Sequence, residues 1–310
     1  MEKTIWTTGN IESQAGKRVI VTGGGSGIGF EAARVLASKG AEVILSGRNM
    51  EKGERALSKI MEEDPSAKVN LMHLDLGDLK SIQNFAEEFR TKYESLDLLI
   101  NNAGVMIPPY KLTKDGFELQ FGTNHLGHFA LTGQLLPILL ATAGSRIVTV
   151  SSIANRGASI FFDNLDGSKG YNHIKFYRQS KFANLLFAVE LNNRLRKSGA
   201  DTISIVCHPG ISATNLMSRG SGKESGKIMK FLFDLFAQPA EMGALPTLFA
   251  ATNKELTGGE YIGPDGKDNH KGNPAISSEV NTLFKSAVAE KLWEVSENLT
   301  GIKYPLLKHP

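Results

Sequence analysis

Arg18-Val-Ile-Val-Thr-Gly-Gly-Gly-Ser-Gly-Ile-Gly29 is a β-branched apolar run that breaks into glycines and then into a helical pattern. Valine, isoleucine and threonine favour the pleated, half-buried surface of a strand. The apolar spacing from Ile28 to Lys39, stopped by Gly40, reads as a helix with a glycine at its end. Glycines adopt backbone angles closed to other residues and let a chain approach a ligand closely. A helix starting near Ile28 presents free N–H groups and a positive dipole end, which suits a pyrophosphate. A glycine run alone is a weak signal; its position between a first strand and a first helix makes it strong. The candidate contacts are Thr22, Gly23, Gly25, Ser26, Gly27, Ile28 and Gly29. The spacing is Thr22-Gly-x-x-x-Gly-x-Gly29, because Ile28 stands where Gly-x-Gly-x-x-Gly counted from Gly23 would need its last glycine.

The same alternation continues down the chain. Glu42–Ser46, Val69–Leu74, Leu96–Asn101, Arg146–Val150 and Ile203–Cys207 read as further strands. Between them lie helical patterns at about Met50–Glu63, from an Asp78 cap to about Tyr93, Asp115–Thr142 with a kink near Pro137, and Phe176–Lys197. Strand and helix in turn, with strands apolar throughout, predict an α/β fold. We expect one Rossmann domain over residues 17–310, a doubly wound parallel sheet of about seven strands with helices on both faces. Residues 1–16 read as a leader that packs through Trp6.

The second strand ends in Ser46-Gly47-Arg48-Asn49, with no carboxylate to hydrogen-bond the ribose hydroxyls of NAD. Arg48 carries a planar fork that suits a 2′-phosphate, so NADP(H) is preferred and NAD(H) stays possible; the plainer alternative is a solvated loop charge. Asp75 and Leu76 follow the third strand, where an adenine would lie, and Asp75 either accepts from that ring or holds the next turn. Asn101-Asn-Ala-Gly104 ends the fourth strand at the ligand edge, and Asn102, Ala103 and Gly104 are candidate cofactor contacts.

Tyr177 and Lys181 are four apart on a helix and share a face. Moving a phenol from its free pKa of ~10 to neutrality takes about 4 kcal/mol, which an ammonium and an oxidised nicotinamide nearby would help to supply. On spacing alone, an incidental surface pair would be the better explanation. Ser151 and Ser152 end the fifth strand, and a hydroxyl there would hold a carbonyl. Asn124 lies within a long helix, where a buried amide needs partners: helix carbonyls, or a water beside Lys181.

Together these motifs resemble the short-chain dehydrogenase/reductase family over about residues 15–265. The matching elements are Thr22–Gly29, Asn101–Gly104, Asn124, Ser152, Tyr177-x-x-x-Lys181, and Pro209-Gly210 with Thr214, in family order. The resemblance implies that Tyr177 exchanges the proton and that Lys181 binds the nicotinamide ribose and lowers the tyrosine pKa. It implies further that Ser152, rather than Ser151, orients the carbonyl and that Asn124 supports a proton relay. Pro209, Gly210 and Thr214 would touch the nicotinamide amide. The insert from Phe161-Phe-Asp-Asn-Leu165 to Tyr171-Asn is similar to the retinol dehydrogenase and WW-domain oxidoreductase branch. So are Ser180-Lys-Phe-Ala-Asn-Leu-Leu186 and Leu292-Trp-Glu-Val-Ser-Glu-Asn-Leu-Thr300. That branch implies NADP(H) and a lipophilic aldehyde or ketone, or the corresponding alcohol, as small-molecule substrate.

Residues 218–239 stand outside the alternation. Ile228, Phe231, Leu232, Leu235 and Phe236 share one helical face behind a glycine- and serine-rich start. They form either an ordinary core helix or an apolar substrate lid. A homodimer or homotetramer is expected, with Phe182, Leu186 and Val189 facing either a partner or the monomer's own interior.

Composition narrows the rest. Thirty-five Lys and Arg against 32 Asp and Glu leave +3, spread along the chain, so nucleic acid is not expected as a partner. No apolar run reaches the ~20 residues of an integral membrane span. The single Cys207 and the lack of a secretory pattern fit a cytoplasmic protein. No Gly-x-Ser-x-Gly occurs, against hydrolase chemistry, and His125-x-x-His128 lacks a neighbouring Glu or Cys, so no metal site is expected. A nucleotide-sugar epimerase would space its glycine turn differently. A catalytically silent NADP(H)-binding sensor or scaffold would be expected to lose Tyr177 or Lys181, and both are present.

Overall fold

The computed structural model describes residues 5–211 and 238–305. Its strands are β1 (Arg18–Thr22), β2 (Glu42–Gly47), β3 (Lys68–His73), β4 (Leu98–Asn101), β5 (Arg146–Val150), β6 (Ile203–Cys207), β7 (Tyr261–Pro264) and β8 (Pro274–Ser277). They lie in the order β3-β2-β1-β4-β5-β6-β7-β8. The first seven are parallel, as expected of a doubly wound sheet; β8 is an added edge strand, antiparallel to β7. The helices are α1 (Gly27–Ser38), α2 (Met50–Glu63), α3 (Leu79–Lys92), α4 (Leu119–Phe121), α5 (Gly127–Ala141), α6 (His173–Lys197), α7 (Ala240–Thr252), α8 (Val280–Leu283) and α9 (Ser286–Thr300).

Alternate residues of each strand feed two cores. Val19, Val21, Val43, Leu45, Val148 and Val150 pack with Leu36 of α1 and Leu248 of α7. Ile20, Ile44, Leu99 and Ile147 face the other way, against Phe85 and Phe89 of α3 and Phe129 and Leu135 of α5. Each such side chain contributes about 1.5–3 kcal/mol by leaving water. Caps set where the helices begin: the Asn49 side chain accepts the Lys52 N–H, and Asp78 accepts those of Lys80 and Ser81.

Two expectations need correction, and one open choice is decided. The helix over Asp115–Thr142 starts at Leu119, and its irregularity lies at Gly122–Leu126, a π-helical turn in which the Gly127 N–H reaches the Gly122 carbonyl. Pro137 stands within α5, which continues past it to Ala141. The second correction concerns α6, which starts at His173, a turn earlier than Phe176, because Asn172 caps it. Phe182, Leu186 and Val189 are buried within the monomer: Ala289 and Leu292 of α9 pack with them in one cluster.

Residues 5–16 lie against the sheet domain. Trp6 meets Phe249 edge-on with ring centroids 5.3 Å apart, and Ile11 is buried. Thr214 and residues 218–237 of the expected lid lie outside the described residues.

Candidate active site

The strand order reverses between β1 and β4, and a cleft of about 500 Å³ opens at the carboxyl ends of the strands there. This is where open α/β sheets bind ligands. Thr22, Gly23, Gly25 and Ser26 form one wall, and Arg48, Asn49 and Lys52 of the β2–α2 turn form another. Asp75 and Leu76 line the far end, and Ala103, Gly104 and Val105 the near end.

Gly23 needs its glycine: its φ is +68°, and a Cβ there would press on Ala103 Cα at 3.0 Å. Gly27 has φ +61°, while a Cβ at Gly29 would collide with the Asn102 amide. Gly27 and Gly29 therefore let the turn fold tightly onto Asn102 at the start of α1. Asn102 ties the two strand ends together, with its N–H on Thr22 Oγ1 at 2.9 Å and its Nδ2 on the Thr22 carbonyl at 2.8 Å. A dinucleotide phosphate fits this cradle of glycines, helix N-terminus and two cations. Asp75 Oδ1 accepts the Gly77 N–H at 2.9 Å, so Asp75 holds its own turn while it lines the cleft.

Gly104 marks where the cleft meets the second group of candidates. A Cβ on it would lie 3.1 Å from Asn124 Oδ1 and 3.7 Å from Lys181 Nζ. Asn124 is fully buried; its Oδ1 accepts the Val105 N–H, and its Nδ2 donates to the Val105 carbonyl and to Ser180 Oγ. Lys181 Nζ donates to the Val150 carbonyl at 3.1 Å. Burial lowers the Lys181 pKa to about 8. Ser151 and Ser152 separate clearly. Ser151 Oγ is buried and donates to the Lys181 carbonyl, whereas the Ser152 hydroxyl accepts the Ala154 N–H and lies beside Tyr177, whose pKa it lowers.

Burial pushes the Tyr177 phenol up to about 12, opposed by the Ser152 hydroxyl. Tyr177 holds its proton at neutral pH. Pro209 and Gly210 follow β6; Gly210 has φ +66°, and the Pro209 carbonyl accepts Gln238 Nε2 at 2.8 Å. His125 and His128 are buried and bonded to Ser296 Oγ, the Asn124 carbonyl and Thr22 Oγ1. Among the described residues no cluster of His, Cys, Asp and Glu could hold a metal.

The short-chain dehydrogenase family model matches residues 17–224. Human retinol dehydrogenase 11 is 41% identical over 287 residues, 93% of this chain and 86% of that protein. The chain belongs to the short-chain dehydrogenase family. Short-chain dehydrogenases are oxidoreductases that bind NAD(P), and this one is similar to the retinol dehydrogenases within them. A solved protein from Mycobacterium paratuberculosis is 38% identical with a TM-score of 0.80, covering 97% of this chain and all of that one. A short-chain dehydrogenase from Escherichia coli complexed with NADPH is 25% identical, with a TM-score of 0.60 over 80% of this chain and 94% of that one.

Several residues of this short-chain dehydrogenase escape a reading of its sequence. Lys52 lines the cleft one turn beyond the Asn49 cap, a spacing from Arg48 that could have flagged it. Gln120 is fully buried and bonds three segments at once: its Oε1 accepts the Ile107 N–H, and its Nε2 donates to Tyr171 Oη and the His173 carbonyl. Glu118 is buried beside it and accepts the N–H groups of Gln120 and Phe121. Nothing local in Phe117–Phe121 announces this network.

Proposed function

We propose that the protein is an NADP(H)-dependent oxidoreductase that interconverts a lipophilic aldehyde or ketone and its alcohol. The observation that carries this reading is the buried Tyr177 phenol beside Ser152, in a site where Asn124 and Lys181 close the near end of the dinucleotide cleft. When bound, the reduced nicotinamide supplies the hydride that a carbonyl carbon accepts. The chain's own residues do the rest. Ser152 holds the carbonyl oxygen, and Tyr177, protonated at neutral pH, gives it the phenolic proton. Lys181, anchored on the Val150 carbonyl, brings positive charge to the side where negative charge develops on the phenolate. Asn124 fixes the Val105 backbone and Ser180, which in turn donates to the Tyr177 carbonyl.

Arg48 and Lys52 on the cleft wall, with no carboxylate at the end of β2, support NADP(H) over NAD(H). The NADPH complex of the Escherichia coli relative points the same way. Retinol dehydrogenases among the relatives support a lipophilic substrate. So does the aromatic group formed by Phe161, Tyr171 and Phe176, at the start of the helix that carries Tyr177. A panel of short and long-chain aldehydes and ketones, followed at the reduced-nicotinamide absorbance with NADPH and with NADH, tests the proposal. Faster NADPH oxidation with the longer, more apolar carbonyls is expected. Oxidation of neither cofactor by any of them would overturn it.

A further inference from the structure

His128 lies in the first turn of α5 and is almost wholly buried. Its Nδ1 stands 2.8 Å from the Asn124 carbonyl and its Nε2 2.9 Å from Thr22 Oγ1. These two contacts fix where the ring hydrogen sits. A carbonyl oxygen only accepts, so Nδ1 carries the hydrogen. Burial holds the imidazole pKa down to about 4, aided by the charge of Lys181, so the ring is neutral and Nε2 presents a lone pair. The other titratable neighbour, His125, is itself kept neutral by burial.

Thr22 Oγ1 then has one consistent role. It accepts the N–H groups of Asn102 and Ala103, each at 2.9 Å. Its single hydrogen has two acceptors in reach, the Ile100 carbonyl at 3.2 Å and His128 Nε2 at 2.9 Å. Because Nε2 cannot donate, the nearer contact is a hydrogen bond only if Thr22 gives its hydrogen there. The hydrogen bonds therefore run in one direction, from the β4 loop through Thr22 to His128 and on to the Asn124 carbonyl. That carbonyl belongs to the π-helical turn, where the regular helix ladder is broken. From the Asn124 side chain the same network continues through Ser180 Oγ to the Tyr177 carbonyl.

We propose that His128, locked as its Nδ1–H tautomer, is a positioning residue that ties the glycine turn under the cofactor to Asn124 and the Tyr177 helix. It touches neither cofactor nor substrate. It works through Thr22 at one end and Asn124 at the other, and it rests on the proposed function for its catalytic consequence.

The two ends are separable by substitution. His128→Asn keeps a donor near the Nδ1 position and loses the Thr22 acceptor. His128→Gln keeps an acceptor near the Nε2 position and loses the bond to Asn124. His128→Asn is expected to raise the Kd for NADPH about tenfold, with a smaller change in kcat. His128→Gln is expected to lower kcat about tenfold, with a smaller change in Kd. These factors correspond to the net loss of one buried hydrogen bond. Equal shifts in both parameters for both variants would overturn the assignment. A second measurement needs no variant to be active. Long-range ¹H–¹⁵N spectra of the wild-type protein labelled at histidine, assigned by the signal lost in His128→Gln, should show a protonated Nδ1 and an unprotonated Nε2 from pH 6 to 8. An Nε2–H tautomer, or a ring that titrates in that range, would overturn the proposal. The correct tautomer in a protein that reduces no carbonyl would support this assignment and reject only the proposed function.

Discussion

Gln120 Oε1 accepts the backbone N–H of Ile107 at 2.9 Å, and Ile107 is held there at φ +54°. A β-branched residue in the left-handed region is a steric outlier that persists only when its surroundings hold it. The hold extends further, because Tyr171 Oη, which accepts from Gln120, itself donates to the Pro108 carbonyl. The loop after β4 and the start of the Tyr177 helix are thus clamped by one side chain. Gln120→Leu leaves the Ile107 N–H and the His173 carbonyl without this partner, at about 0.5–1.5 kcal/mol for each of these part-buried hydrogen bonds. Thermal unfolding should fall accordingly, and amide exchange at Ile107 should accelerate. Unchanged exchange at Ile107 would show that the clamp does not hold the loop.

Glu118 gives a pH dependence with a defined sign. Burial raises its carboxyl from 4.5 to about 7, against the lowering effect of the Gln120 and Phe121 N–H groups. The folded state therefore binds this proton more tightly than the unfolded chain. The resulting stability is fully present below about pH 4.5 and is lost as pH rises through 7. Glu118→Gln, which stays neutral, should gain on the wild type by about 2–3 kcal/mol between pH 5 and pH 8. Urea unfolding at the two pH values measures this. A difference that does not change with pH would contradict it.

Arg48 lines the cleft beside Asn49 and Lys52 and is exposed in the described structure. Arg48→Ala should weaken NADPH binding by about 1.5–3 kcal/mol, the scale of a charge-assisted contact, and leave NADH much less affected. Titration of both cofactors by fluorescence decides the matter. Equal losses would mean that Arg48 does not read the 2′-phosphate.

The α6 face that carries Leu186 is covered by α9 of the same chain. Leu186→Ala should therefore cost about 2–5 kcal/mol as a core cavity. The native mass measured by light scattering should match that of the wild type. A change of mass without a loss of stability would place this residue at a subunit contact instead.

Local signals carried most of the fold. The β-branched run before Gly23 and the helical spacing after Ile28 lie side by side in the chain, as do Tyr177 and Lys181 on one helix face. What stayed hidden depends on contacts between distant segments. The π-helical turn at Gly122–Leu126 leaves the apolar pattern of its helix intact, whereas Pro137 stands out in the sequence and yet is accommodated within α5. Strand β8 is four residues long and begins at a proline, too little for a strand pattern to register. Phe182, Leu186 and Val189 read equally well as a subunit face, because the helix that covers them lies about a hundred residues further on. Spacing also places Tyr177 beside Lys181 without revealing how deeply both are buried.

Tyr177→Phe tests the central claim most directly. The ring still packs and the exchangeable proton is gone. With NADPH and a long-chain aldehyde, kcat should fall by ~10²–10⁴, the usual contribution of a general acid, while the Kd for NADPH and the unfolding temperature stay close to those of the wild type. A folded Tyr177→Phe enzyme that turns over within a few-fold of the wild type would contradict the account.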